Sequence, residues 1–208
     1  MWDMDNTRGS QSSIRDRILS AAFQSLNENG FLGASTLEIA TKAHVSKREL
    51  YTLFSSKDEI LLACIAERAS AISGSLSELP APSTARELFD VLRELGFRLL
   101  KDVTRADAIA AFRFAIARSD DLPEVARIID RNGRRASREA LAKVIDHAVS
   151  RGLLKRAETK RMVRTYVGLL WSDLQVGLLL GVLKPPAEDE VKLFSEQAAR
   201  EFLAIYGT

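Results

Sequence analysis

Cysteine and histidine are scarce in this chain. One cysteine, Cys64, and two histidines, His44 and His147, occur in 208 residues. A lone cysteine cannot close an internal disulfide, which points to a reducing, cytoplasmic setting. The two imidazoles lie far apart in sequence, and Cys64 sits in the apolar stretch ILLACIAE. No His/Cys/Asp/Glu cluster has metal-ligand spacing, and there is no phosphate loop or nucleophile elbow. No metal, cofactor or enzymatic activity is therefore expected. Long apolar runs are missing as well. The longest candidate, Val167 to Val182, is interrupted by Ser172, Asp173 and Gln175, so no membrane span is expected. The N-terminus lacks the basic start and apolar stretch of a secretion signal. Net charge is only +2, so bulk charge does not announce a nucleic-acid partner.

Apolar residues make up 46% of the chain, enough for a substantial core. Their spacing is helical almost throughout. No segment alternates with period two and β-branched or aromatic enrichment, so an all-α fold is expected. Residues Met1 to Ser12 are polar and unpatterned and read as a flexible tail. A first helix is expected from Ile14 to Asn29, with Ile14, Ile18, Leu19, Ala22, Phe23 and Leu26 on one stripe and Gly30 as its stop. Three capping-box patterns follow: Ser35 with Glu38, Ser46 with Glu49, and Ser56 with Glu59. They predict short helices over Thr36 to Ala43 and Lys47 to Phe54, joined by a three-residue turn. Helices this short are unstable alone and must pack on the first, through Ile39, Ala40, Val45, Leu50 and Phe54. Longer helices are expected over Lys57 to Leu79, Thr84 to Asp102, Arg105 to Ser119, Leu122 to Arg151, Glu158 to Leu183 and Glu188 to Tyr206. The basic stretch from Arg127 to Arg164 reads as a solvated helix face.

Two short helices joined by a tight turn are either a DNA-reading unit or a corner in a helical bundle. Between Lys42 and Lys57, four basic residues (Lys42, Lys47, Arg48, Lys57) face one acid, Glu49. The exposed side of the second short helix carries Lys47, Arg48, Tyr51 and Thr52, which are phosphate- and base-contacting types. The stretch GFLGASTLEIATKAHVSKRELYTLFSSKDEIL, from Gly30 to Leu61, resembles the DNA-binding domain of the TetR/AcrR family of bacterial regulators. The matching elements are Gly30–Phe31, Ile39–Ala40, Ala43, Val45–Ser46, Leu50–Tyr51, Phe54 and Lys57. The family's turn glycine is His44 here; histidine is among the few other residue types that visit positive φ. Its usual threonine before Leu–Tyr is Glu49, which the spacing assigns to capping rather than reading. Arg48 suits either a guanine edge or a phosphate.

The resemblance implies a three-helix helix-turn-helix DNA-binding domain at residues 13–56 and a helical ligand-binding and dimerisation bundle at residues 57–208. Lys47, Tyr51 and Lys57 would hold phosphates, Arg48 and Thr52 would face base edges, and Ser35, Thr36 and Ser46 would sit at the backbone. A twofold dimer demands a palindromic double-stranded operator with half-sites about 34–36 Å apart, or a multiple. Homodimerisation is expected through the helices at 158–183 and 188–206. The effector is expected to be a small hydrophobic or amphipathic molecule, with Phe97, Phe112, Phe114, His147, Tyr166, Trp171 and Gln175 as pocket candidates. Arg113 is a weaker candidate, for an acidic ligand. The implied role is repression relieved by ligand. The alternatives are an activator of the same family and a helical interaction module that does not bind DNA.

Overall fold

Capping residues and left-handed turns punctuate the chain more than any long apolar run does. The computed structural model describes the backbone of residues 4–208. Side chains are described from Ile14 onward, apart from residues 27, 31, 32, 71–73, 75 and 77. Eleven α-helices and one π-helical stretch fill the described residues. They are α1 (Met4–Gly33), α2 (Thr36–Lys42), α3 (Lys47–Leu53), α4 (Lys57–Ser77), α5 (Ala85–Val103) and α6 (Ala106–Ala117). There follow α7 (Pro123–Ile128), the π stretch (Ile129–Arg135), α8 (Ala136–Ser150), α9 (Thr159–Trp171), α10 (Leu174–Leu180) and α11 (Glu188–Tyr206). No strand forms among the described residues; Leu154 and Gly207 make one isolated antiparallel bridge.

Several expectations need correction. The backbone is helical from Met4, so of the expected Met1–Ser12 tail only residues 1–3 lie outside the described chain. Gly30 does break α1, at φ 68° and ψ 176°, a region essentially reserved for glycine. Of the three expected reciprocal boxes, only one closes both ways. Ser46 Oγ accepts from the Glu49 N–H at 3.1 Å, and Glu49 accepts from the Ser46 N–H at 2.8 Å. Ser35 caps Glu38, but the Glu38 carboxylate accepts instead from Asn29 Nδ2 at 2.8 Å and pairs with Lys42 at 2.9 Å. Ser56 caps Glu59, whose carboxylate binds the N–H and hydroxyl of Ser55.

The long helix expected from Leu122 to Arg151 contains the π stretch. The one expected from Glu158 to Leu183 is two helices. Ser172, at φ 43° and ψ −126°, ends α9, and α10 starts afresh at Leu174. Serine and aspartate favour local hydrogen bonding over helix continuation, and Ser172–Asp173 interrupts an otherwise apolar run there. Arg113 seals the far end of α10, donating to the carbonyls of Leu178 at 2.7 Å and Leu179 at 3.0 Å. It therefore serves a helix C-terminus while the residue itself stays exposed.

Two apolar cores organise the molecule. One lies among α5, α8, α9 and α11, around Leu92, Leu100, Ile145, Met162, Tyr166 and Phe202. The other joins α1–α3 to the first half of α4 through Ile18, Ala22, Ile39, Leu50, Phe54 and Ile60. Phe114 and Ala115 of α6 and Val125 and Ile128 of α7 also enter this second core. The reading helices thus share one packed interior with the middle of the chain.

Candidate functional site

The turn between α2 and α3 is a Schellman motif with histidine in the glycine position. The His44 N–H donates to Thr41 O at 3.2 Å and the Val45 N–H to Ala40 O at 3.0 Å. His44 itself has φ 52°. This is the 5→2 and 6→1 pair that closes a helix on a left-handed residue. The same pair forms at Gly152 after α8 and at Gly181 after α10. The turn swings α3 away from α2, while Ile39, Ala40 and Leu50 are buried beneath it.

The outer face of α3 is left to solvent. Lys47, Arg48, Tyr51 and Thr52 are exposed. The Tyr51 hydroxyl lies 3.3 Å from Thr36 Oγ1, which brings the start of α2 and the middle of α3 onto one surface. Thr52 Oγ1 donates to Arg48 O at 2.8 Å, and the residue stays exposed. Ser35 and Ser46 are exposed, with their hydroxyls already accepting cap hydrogen bonds. Lys57 is half-buried at the start of α4, beside the acidic first turn of Asp58 and Glu59. The hydrogen bonds from Ser46 hold the Glu49 carboxyl below its ordinary range, consistent with a capping carboxylate that stays ionised. Lys42 is withdrawn from the basic group. It is bound by Glu28 of α1 and Glu38 of α2, and these partners raise its pKa.

Beneath this unit lies a cavity of about 370 Å³, within the range of small-ligand sites. Phe23 and Leu26 of α1, Ile65 of α4, Leu95 of α5 and Val167 of α9 give it apolar walls. Three of the expected ligand residues line it: Phe112, Trp171 and Gln175. The other four do not. Phe97 packs on the first core with Lys101 above its ring, at 5.3 Å from the centroid. Phe114 belongs to the core beneath the reading helices. His147 Nε2 lies 3.1 Å from Pro82 O, tying α8 to the loop before α5. Tyr166 is fully buried; its hydroxyl donates to Leu92 O at 2.5 Å, and burial pushes its pKa up.

The polar part of the lining was not anticipated. Arg68, Asp107, Ser137 and Arg138 line the cavity, with Arg134 and Arg164. Three of these arginines come from the stretch expected to be a solvated helix face. Arg134 and Arg164 are nonetheless exposed, as a solvated face would be, while Arg138 just after the π stretch is half-buried. Cys64 also lines the cavity, where burial pushes its thiol up to about 12, so it is not an activated nucleophile.

Among the described residues no His/Cys/Asp/Glu group is placed to hold a metal ion, and no helix is long and apolar enough to cross a membrane. Residues 18–64 match the tetR family of bacterial regulatory proteins, and residues 90–208 match the C-terminal domain of AefR-like transcriptional repressors. The chain belongs to the TetR family. The match at residues 90–208 covers more than half of the chain and includes the cavity's α5, α6, α8 and α9 walls.

Similar proteins agree with this assignment. The HTH-type transcriptional regulator YezE of Bacillus subtilis is 24% identical over 118 residues, which span 56% of this chain and 61% of that relative. A TetR transcriptional regulator structure from Agrobacterium tumefaciens is 26% identical, with 94% of each chain covered and a TM-score of 0.75. A TetR-family structure from Mesorhizobium loti shares the fold at a TM-score of 0.83 and 21% identity, covering 95% of this chain and 98% of that one. TetR-family regulators bind DNA operators and act as dimers. The chain thus joins the DNA-binding and C-terminal domains of that family of transcriptional regulators.

Proposed function

We propose that this TetR-family protein is a repressor, released from a palindromic operator when a small apolar or amphipathic molecule enters the cavity. The observation that carries the reading is the sharing of α4. Its first turn follows the reading helix α3 directly, and its Cys64, Ile65, Arg68 and Ala69 line the cavity. A ligand that binds better to a displaced α4 shifts the population away from the DNA-competent arrangement. A second tie runs from Arg118 at the end of α6 to Asp58 in the first turn of α4, at 4.0 Å.

On this reading residues 13–56 contact DNA, and residues 57–208 bind effector and pair in the cytoplasm. Lys47, Tyr51 and Lys57 hold phosphates, Arg48 and Thr52 meet base edges, and Ser35, Thr36 and Ser46 lie along the backbone. Pairing uses α9–α10 and α11. It is supported by the unpartnered apolar residues Val176, Leu180 and Val182 on and after α10 and Leu193 on α11, with Leu180 72% exposed. No catalytic role is assigned.

The test is footprinting of the full chain on DNA flanking its own gene. A protected palindrome is expected, with Lys47→Ala and Tyr51→Ala weakening binding at every sequence and Arg48→Ala also relaxing base preference. Absence of any protected sequence would leave the interaction-module alternative standing.

A further inference from the structure

The inference rests on reading the cavity as the effector site. Five described side-chain atoms are buried without a hydrogen-bond partner: Ser25 Oγ, Arg68 Nε, Asp107 Oδ2, Ser137 Oγ and Arg138 Nη1. Four of the five belong to residues that line the cavity, all but Ser25. Buried polar groups are normally satisfied, and an unsatisfied cluster in one concave site marks where a ligand's polar groups go.

Charge bookkeeping tells these groups apart. Arg68 stands between two carboxylates, 3.8 Å from Asp102 and 3.7 Å from Asp107. Asp107 also accepts from Arg105 Nε at 3.1 Å. That corner is near neutral, and its free Asp107 oxygen suits a donor such as water or a ligand hydroxyl. Arg134 is bound by Asp130, which also holds Arg135 at 3.4 Å. Arg138 forms no ion pair among the described residues, and neither does the exposed Arg164 of α9. Burial and the nearby positive charge of Arg134 work against the charged form of Arg138, and the charge of Asp130 offsets them only in part. Beside it, Ser137 is buried with its hydroxyl unused. Arg138 is half-buried, but its Nη1 is buried without an acceptor, and an anion is the natural complement of such a donor.

We propose that the cavity selects an apolar ligand bearing one carboxylate, which seats on Arg138 Nη1 and Ser137 Oγ while the apolar body lies against Phe23, Ile65, Leu95, Phe112 and Trp171. The carboxylate supplies the missing counter-charge and accepts from both unpaired donors. A neutral molecule of the same shape fills the apolar part and leaves Arg138 uncompensated.

Trp171 lines the cavity and reports occupancy by fluorescence; Trp2→Phe removes the other tryptophan. The full-length Trp2→Phe protein is titrated with dodecanoate and with 1-dodecanol, below their self-association limits. Dodecanoate is expected to bind on the order of tenfold to a hundredfold tighter, the factor a charge-assisted hydrogen bond carries. Arg138→Gln is expected to erase that preference while lowering neither dodecanol affinity nor thermal stability, and Arg138→Lys to restore part of it. Equal affinity for the two probes overturns the proposal, as does a preference that survives Arg138→Gln or a failure of both probes to bind. None of these readouts involves DNA. Operator binding measured separately therefore tells a failure of this assignment from a failure of the repressor reading.

Discussion

Replacing Gly96 by alanine tests the packing of the ligand-binding half with an unusually clear sign. Gly96 sits mid-way along α5, where helix propensity alone favours alanine by about 0.5–1 kcal/mol. The surroundings argue the reverse. A Cβ placed there falls 2.6 Å from the Tyr166 hydroxyl, 3.0 Å from Leu170 Cδ1 and 3.4 Å from Ser195 Cβ. Overpacking of this kind costs about 1–3 kcal/mol. Moving the Tyr166 hydroxyl off Leu92 O strands a buried donor, at a further cost of about 1–3 kcal/mol. The net expectation is a loss of about 1–5 kcal/mol, despite the better helix former. Gly74 in α4 is the control: a Cβ there meets nothing within 4 Å, so Gly74→Ala is expected to stabilise by about 0.5–1 kcal/mol. Urea unfolding at fixed protomer concentration reads both, since dimerisation makes apparent stability depend on concentration. Tyr166→Phe in the Gly96→Ala background removes the closest collision, so the double variant should lose less than the sum of the singles. Gly96→Ala as stable as the parent would refute the packing argument outright.

Other outcomes follow from the same geometry. Ser172 holds a positive φ with no glycine to ease it, so Ser172→Gly is expected to raise the thermal midpoint, by relief of about 1–3 kcal/mol of strain less the entropy glycine adds to the unfolded chain; a lowered midpoint would show that the serine side chain matters more than the turn. Acid should loosen the reading helices. Hydrogen bonds hold Glu28, Glu38, Glu49 and Glu59 below the ordinary carboxylate range, from Lys42 for the first two, Ser46 for the third and Ser55 for the fourth. Carboxyls depressed by folding stabilise above their unfolded pKa, and that contribution is lost as pH falls through the folded values. Unfolding followed by circular dichroism should therefore show stability falling steadily below about pH 5, with Glu49→Gln flattening part of the slope; a midpoint constant down to pH 3 is the contrary result.

The helix-turn-helix was legible in the sequence because its determinants are local. Ser35, Ser46 and Ser56 each cap the helix that follows, and His44 takes the left-handed turn its position demands. The partner choice of each glutamate was less legible. Glu38 has Lys42 one turn along its own helix and Asn29 of α1 within reach, and both compete with the box. The break at Ser172 shows in sequence only as the polar Ser172–Asp173 step, which the exposed side of a continuous helix would also accommodate. The cavity was the least legible part. Phe112, Phe114, Tyr166 and Trp171 are all aromatics on apolar helices, yet only Phe112 and Trp171 face the space between α4, α6 and α9. Arg138 looks in sequence like any residue of a charged helix; only the tertiary arrangement buries its Nη1 without a partner.

The packing of Phe114, Ala115, Val125 and Ile128 beneath the reading helices bears on how such a protein can be recombined. A graft that exchanges residues 13–56 for another DNA-reading head would cut through a single interior, leaving four side chains facing a surface they were not shaped for. A working chimera has to carry the first half of α4 with the head and match the α6–α7 plug to it. Drift in the operator-reading surface is accordingly constrained from inside, by residues that never approach DNA.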